Sequence, residues 1–396
     1  MGNAALSSKP PWHTTLLTNS PASTFLKTKS TNSKPRFVLV IHAGAGTMSR
    51  NDSTETKRKA YHAGLRVALE AGYKVLKEGG EAMDAAVAAV SALEDNILFN
   101  AGKGAVFNED GKNELEASIM LSKPPSSHPS IHSSRRGLGL TLLTRIRNPC
   151  QLARELYIHP TVAPHAFLSG QKAESIAESL GITLVDPSYF FTEARWKQHR
   201  RGLGLPEKPY PPGTSIPIED GNNWEPLDML PTGTVGAVAL DVRGCICAVT
   251  STGGRTNKLV GRIGDTPVMS AGYWAEEWTD TAAAGWLKKA WNVIIGKTDV
   301  KKKAIGISGT GDGDYFIRQA AASTIARRVQ FLRESISTAS LKVVEDLRRD
   351  GGVGGVIVLD SEANVATPLN CEGMYRGLVR EDGLSKTAIF NDEVLE

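Results

Sequence analysis

The feature that most constrains this chain is a threonine set between a glycine-bearing loop and an apolar strand. In Leu230-Pro231-Thr232-Gly233-Thr234-Val235-Gly236-Ala237-Val238-Ala239-Leu240-Asp241, a polar segment runs straight into an alternating apolar strand, with Thr234 at the junction. The plain reading is a β-branched residue opening a strand. The chemical reading needs one further event. Cutting the Gly233–Thr234 bond would give Thr234 a hydroxyl nucleophile and a free α-amine on one residue. Such an amine is one way to activate a weak hydroxyl nucleophile. An α-amine titrates near pH ~8, so a useful fraction is neutral at physiological pH, which is not true of lysine.

The fold-forming chain is expected to begin at Phe37. Phe37-Val38-Leu39-Val40-Ile41 is a continuous apolar run, the pattern of a strand buried on both faces, and it ends in the small-residue loop His42-Ala43-Gly44-Ala45-Gly46. Residues 54–79 read as a helix stopped by Gly79-Gly80, and residues 82–93 as a second, alanine-rich helix. Leu98 to Phe107, an Asp110-Gly111 turn and a return strand ending near Met120 read as a hairpin. Residues 148–156 and 171–180 read as helices. The run Arg195-Trp196-Lys197-Gln198-His199-Arg200-Arg201 reads as a solvated linker rather than a nucleic-acid site, within a long tether leading to Thr234.

Composition excludes several classes. With 46 basic and 42 acidic side chains and a net charge of +4, the chain is too balanced to argue for nucleic acid or membrane partners. Cys150, Cys245, Cys247 and Cys371 show neither zinc spacing nor a disulfide framework, which points to a reducing, cytoplasmic setting. Residues 1–35 are rich in Ser, Thr, Pro and Lys, hold no acidic residue and offer no apolar run of membrane length. A disordered tail is expected there. Residues 36–396 are expected to form one domain.

Beyond Thr234 the signals are dense. Residues 235–241 and 245–250 read as a strand pair around Arg243-Gly244. Then come Ser251-Thr252-Gly253-Gly254-Arg255-Thr256-Asn257-Lys258, Gly261-Arg262-Ile263-Gly264-Asp265-Thr266-Pro267 and Ser308-Gly309-Thr310-Gly311-Asp312-Gly313-Asp314. The last opens a helix running to Arg328. It resembles a phosphate cradle, but no Gly-Lys-Ser/Thr follows. Arg262 and Asp265 have two readings. They pair with each other at the surface, or they form a clamp in which the guanidinium takes an α-carboxylate and the aspartate an α-ammonium.

In order and spacing, these segments resemble the plant-type L-asparaginase/isoaspartyl aminopeptidase family of N-terminal nucleophile hydrolases. The likeness is carried by residues 41–46, 98–107, 116–120, 233–241, 251–258, 261–267, 310–314 and 370–375. It implies an α+β fold, a four-layer αββα sandwich, that cleaves itself into an α subunit 1–233 and a β subunit 234–396 and assembles as (αβ)2. It implies hydrolysis of the side-chain amide of L-asparagine or of β-aspartyl peptides. Thr234 then matches the nucleophile, Thr252 the second active-site threonine, and Thr310 and Gly311 the oxyanion donors. Arg262 matches the carboxylate ligand, Asp265 the ammonium ligand, and Gly313 a backbone contact to the bound amino acid. Asn100 matches a supporting asparagine beside a loop that binds sodium in several members. A structural sodium is compatible with this; no catalytic metal or cofactor is implied. Gly233, having no side chain, suits the strained backbone that self-cleavage would need.

Glu116 departs from the family, where aspartate is common, and Leu121-Ser122 replaces the usual Asp-Gly pair. Residues 274–303, with Trp274, Trp278, Trp286 and Trp291, read as an inserted helical flap with an apolar face. Alternative readings are a glycosylasparaginase or a threonine aspartase, both of which usually carry aspartate where Gly233 stands. A non-catalytic interaction protein on the same scaffold is a third.

Overall fold

Residues 36–46, 48, 50, 53–208, 210, 233–280 and 302–395 are described by the computed structural model. The expected tail and the last part of the tether therefore lie outside the described residues, as does the middle of the expected flap with Trp286 and Trp291.

In chain order the elements begin with β1 (Val38–Gly46), α1 (Glu55–Lys77), α2 (Ala82–Glu94), β2 (Leu115–Leu121), β3 (Gly137–Leu143), α3 (Pro149–Ile158) and β4 (Phe167–Ser169). Next are α4 (Gly170–Ser179), α5 (Glu193–Gly202), β5 (Val235–Leu240), β6 (Ile246–Thr252), β7 (Tyr273–Thr279) and β8 (Lys302–Gly311). The chain closes with α6 (Gly313–Gln319), α7 (Ala321–Leu332), α8 (Ile336–Arg349), β9 (Gly354–Asp360), β10 (Val365–Ala366), β11 (Gly373–Arg380) and β12 (Lys386–Phe390). One sheet runs β12-β11-β1-β5-β6-β2-β3-β4 and a second runs β10-β9-β8-β7.

The apolar run of β1 is buried throughout because its two faces feed different cores. Leu39 and Ile41 join Leu65 and Leu69 of α1 and Ala86 and Val90 of α2. Val38 and Val40 join Val238 and Ile246 of the same sheet and Ile357, Leu359 and Tyr273 of the other sheet. A third cluster joins Ile305, Ile307, Val356 and Val358 to Ile325 of α7 and Val343 and Leu347 of α8. Alternation along β9 repeats the logic: Ile357 and Leu359 face one core, Val356 and Val358 another.

Four local expectations change. Leu98 to Phe107 is no strand: it bends through a single 3-10 turn at Gly102–Gly104, and Gly102 takes φ +50°. The following strand, β2, pairs instead with β3 and β6. The basic run is the helix α5, capped by the Thr192 side chain, not a linker. Arg195, Trp196 and His199 fall on its inner face and are buried, Arg200 is half-buried over the Trp196 ring, and Arg201 is exposed. Trp274 and Trp278 belong to strand β7, and Lys302 and Lys303 to its partner β8, so both described ends of the expected helical flap are strand. The helix after Asp312 is broken in two at Ala320, which takes a left-handed φ of +47°.

Candidate active site

Thr234 stands one residue before β5 and is 4% exposed. Strand pairing explains what surrounds it. Val235 lies opposite Ser251, which brings Thr252 to the same end of the sheet. Gly311 ends β8 and Thr310 precedes it, so the second sheet delivers the Thr310 hydroxyl. The Thr234 backbone N–H donates to Thr310 Oγ1 at 3.0 Å. Thr234 Oγ1 shares a hydrogen bond with Thr266 Oγ1 at 3.2 Å. Thr252 Oγ1 donates to the Gly233 carbonyl oxygen at 3.5 Å and accepts from the Gly254 N–H at 3.0 Å.

Thr234 and Thr252 open onto one small cleft, also lined by Glu116, Arg262, Asp265, Gly311 and Gly313, while Thr310 and Thr266 are buried against Thr234. Arg262 and Asp265 do not pair with each other. Arg262 Nη2 donates to Asp314 Oδ1 at 3.1 Å, and Asp265 Oδ2 has no hydrogen-bond partner. Burial, and next the nearby charge of Glu116, push the Asp265 carboxyl up to about 7, while Arg262 pulls the other way. A side chain on Gly313 would overlap Asp265 Oδ1. Gly311 takes φ +136°, and a side chain there would run into the Val353 carbonyl.

Seven of the expected residues thus meet in or beside one cleft: Thr234, Thr252, Thr310, Gly311, Arg262, Asp265 and Gly313. Gly233 joins them through its carbonyl. Its lack of a side chain answers a packing need, because a Cβ there would come within 2.9 Å of Gly44 Cα. Asn100 is one step removed. Its Nδ2 donates to the Gly254 carbonyl at 2.7 Å, its Oδ1 accepts from the Val106 N–H at 3.0 Å, and its carbonyl accepts from the Gly253 N–H at 3.0 Å. It braces the loop that carries Thr252.

Three groups went unread in the sequence. Thr266 touches the Thr234 hydroxyl and follows Asp265 directly. His42 is buried, and desolvation lowers its pKa to about 3, so it is neutral. The Thr234 carbonyl can only accept, so His42 Nδ1 donates to it at 2.9 Å, and Nε2 accepts from Ser308 Oγ at 2.6 Å. Gly236 makes room, since a side chain there would overlap both His42 and Ser308. The only signal for His42 was its place at the end of the β1 apolar run. Among the described residues, no group of three or more His, Cys, Asp or Glu is arranged to hold a metal ion. Two carbonyls of the glycine-rich loop already face a cation: Arg195 Nε donates to Gly104 O at 3.0 Å and Nη2 to Leu98 O at 3.3 Å.

Comparison with known proteins agrees with this assembly. A family model described as asparaginase matches residues 35–286 and 294–389, leaving only 287–293 of the expected insert unmatched. The chain is 36% identical to a Dictyostelium discoideum protein whose name pairs isoaspartyl peptidase with L-asparaginase, over 87% of this chain and 93% of the relative. It is 35% identical to the isoaspartyl peptidase of Escherichia coli, over 90% of this chain and 97% of the relative. It is 31% identical to the isoaspartyl peptidase/L-asparaginase of Xenopus laevis, over 88% of this chain and 93% of the relative. Both sheets and the whole cleft fall within the matched segments, and the chain belongs to the asparaginase family.

Proposed function

We propose that this chain is a threonine amidohydrolase that hydrolyses the side-chain amide of L-asparagine and β-aspartyl peptides, releasing aspartate. The reading rests chiefly on one arrangement: Thr234, Thr252, Arg262 and Asp265 line a single cleft, and Thr310 of the second sheet is hydrogen-bonded to Thr234 beside it.

The first step is scission of the chain itself. Thr234 Oγ attacks the Gly233 carbonyl carbon, the C–N bond breaks, and the nitrogen takes up a proton. Water then hydrolyses the ester between Gly233 and Thr234 Oγ. Thr252, whose hydroxyl donates to the Gly233 oxygen, stabilises the negative charge that develops there. The products are fragments 1–233 and 234–396. In the mature enzyme the Thr234 amine accepts the proton of its own hydroxyl. Oγ attacks the substrate side-chain carbonyl, ammonia or an amine leaves, and water releases aspartate. Arg262 binds the α-carboxylate and Asp265 the α-ammonium, with Thr310 and Gly311 as oxyanion donors.

The three apolar clusters fit a four-layer αββα sandwich, helices outside and sheets within. We further propose an (αβ)2 assembly in the cytoplasm, a setting supported by four free cysteines. A structural sodium would use carbonyls of the glycine-rich loop other than Leu98 and Gly104. No helix among the described residues is long and apolar enough to cross a membrane.

Gel electrophoresis and mass spectrometry of purified protein, paired with a substrate panel, test the reading. We expect a fragment starting at Thr234 and aspartate release from asparagine or a β-aspartyl dipeptide. Release from glycosylated asparagine alone, or cleavage of folded protein alone, would favour the related amidases. An intact, inactive chain would favour an interaction protein.

A further inference from the structure

Glu116 lies in the cleft and has no role in the chemistry above. It is fully buried on β2, and its Oε1 accepts from the Gly264 N–H at 2.9 Å. Its Oε2 is buried and has no hydrogen-bond partner. A buried polar atom left unpaired is costly, and a group that binds only with substrate present is a common reason for one.

Glycine 264 shows where such a group would sit. A Cβ there would meet Arg262 Nη1 at 2.7 Å and Glu116 Oε2 at 3.1 Å. The two atoms thus border the same spot, yet they form no ion pair, because Arg262 is engaged by Asp314. The bare Gly264 leaves a gap one atom wide between a guanidinium and a carboxyl oxygen. A guanidinium only donates, so a substrate atom bridging the two must accept from Arg262. A carboxylate oxygen does so, but an ionised Glu116 would repel it. A protonated Glu116 would instead donate to it.

We propose that Glu116 is a specificity-determining residue: in its protonated form it donates from Oε2 to the substrate α-carboxylate that Arg262 holds. Gly264 N–H fixes Oε1 as the acceptor, which leaves Oε2 to carry the proton. Burial favours the neutral form. The charged groups around Glu116 are Lys258, Arg262 and Asp265 on the loop after β6, and Glu114 on its own segment. Lys258 and Arg262 oppose protonation; Glu114 favours it. The incoming α-carboxylate adds a negative charge beside Oε2 and moves the balance further toward the protonated form. The inference rests on the reading of Arg262 as the carboxylate ligand.

Calorimetric binding of L-aspartate to the mature enzyme tests this without turnover. Aspartate affinity of the wild type should fall, approaching tenfold per pH unit, once pH passes the point at which Glu116 ionises in the free enzyme and must be reprotonated to bind. Glu116→Gln keeps both an acceptor and a donor, so it should lack that fall and retain only the pH dependence that Asp265 imposes. A large loss of affinity in Glu116→Gln at acid pH would mean the carboxylate serves the ammonium instead, and would overturn the proposal. So would a pH slope in Glu116→Gln equal to that of the wild type. A second measurement needs no variant. Titrations in buffers of different ionisation enthalpy should show more proton uptake with aspartate than with its α-carboxamide, which keeps the side-chain carboxylate near Thr234 and the ammonium on Asp265. Equal uptake with both ligands would also overturn it. Aspartate binding without any amide hydrolysis would refute the enzymatic reading while leaving the Glu116 test intact.

Discussion

Gly44 and Gly233 lie backbone against backbone: a Cβ on Gly44 would stand 3.1 Å from Gly233 Cα, and one on Gly233 would stand 2.9 Å from Gly44 Cα. Gly44 also takes φ +121°, which favours glycine whatever the space. The peptide bond ahead of Thr234 is therefore held against the irregularity in the first strand between His42 and Ala45. Replacing Gly233 by alanine should push the scissile carbonyl off the Thr252 hydroxyl and slow fragment formation by about tenfold or more. Time-resolved gels check this. Normal processing of Gly233→Ala would show that the close approach is irrelevant to scission.

Thr252→Val removes the hydroxyl that donates to the Gly233 oxygen. A lost oxyanion donor typically costs about 100- to 1000-fold, so scission should nearly stop, while Thr252→Ser should restore most of the rate. Thr252→Val cleaving at the wild-type rate would remove this residue from self-processing.

Asp265 sets a pH dependence whose sign is fixed. Burial pushes its pKa up to about 7 in the fold, against an ordinary value of 3.8. Between these values the folded state binds more protons than the unfolded state, so stability falls as pH rises. The penalty grows to an upper bound on the order of 4 kcal/mol above pH ~7. Urea unfolding of Asp265→Asn should show a flatter profile over the same range and greater stability at neutral pH. On the proposed reading, in which an ionised Asp265 binds the ammonium, substrate affinity should move oppositely in this window and improve as pH rises. A wild-type profile unchanged by Asp265→Asn would refute the assignment.

Arg195 holds α5 onto the loop that carries Asn100. Its removal leaves the Leu98 and Gly104 carbonyls without the guanidinium and leaves a cavity where a fully buried side chain stood. Arg195→Ala should destabilise the protein by about 2–4 kcal/mol. It should also lower kcat through looser positioning of Thr252. Thermal unfolding and steady-state kinetics measure both, and a loss under about 0.5 kcal/mol would contradict the buried role.

Local pattern carried much of the fold. The β1 run, the two N-terminal helices, the strand pair around Arg243-Gly244 and the order of the motifs were all legible, because apolar periodicity and glycine punctuation are written in the chain itself. The resemblance also picked out seven residues that meet in or beside one cleft. What failed were segments whose conformation depends on distant partners. Leu98 to Phe107 looks like a strand until Arg195 takes two of its carbonyls. The basic run looks solvated until Phe107 and Phe191 cover Trp196.

Sequence by itself determined which side chains can do chemistry here and the family to which their order belongs. Only tertiary structure decided that His42 fixes the Thr234 carbonyl, that Thr266 reaches its hydroxyl, and that Glu116 and Arg262 face each other across Gly264. The physical reason is range. Strand register and the packing of two sheets bring together atoms dozens to hundreds of residues apart, and no local propensity encodes such distances.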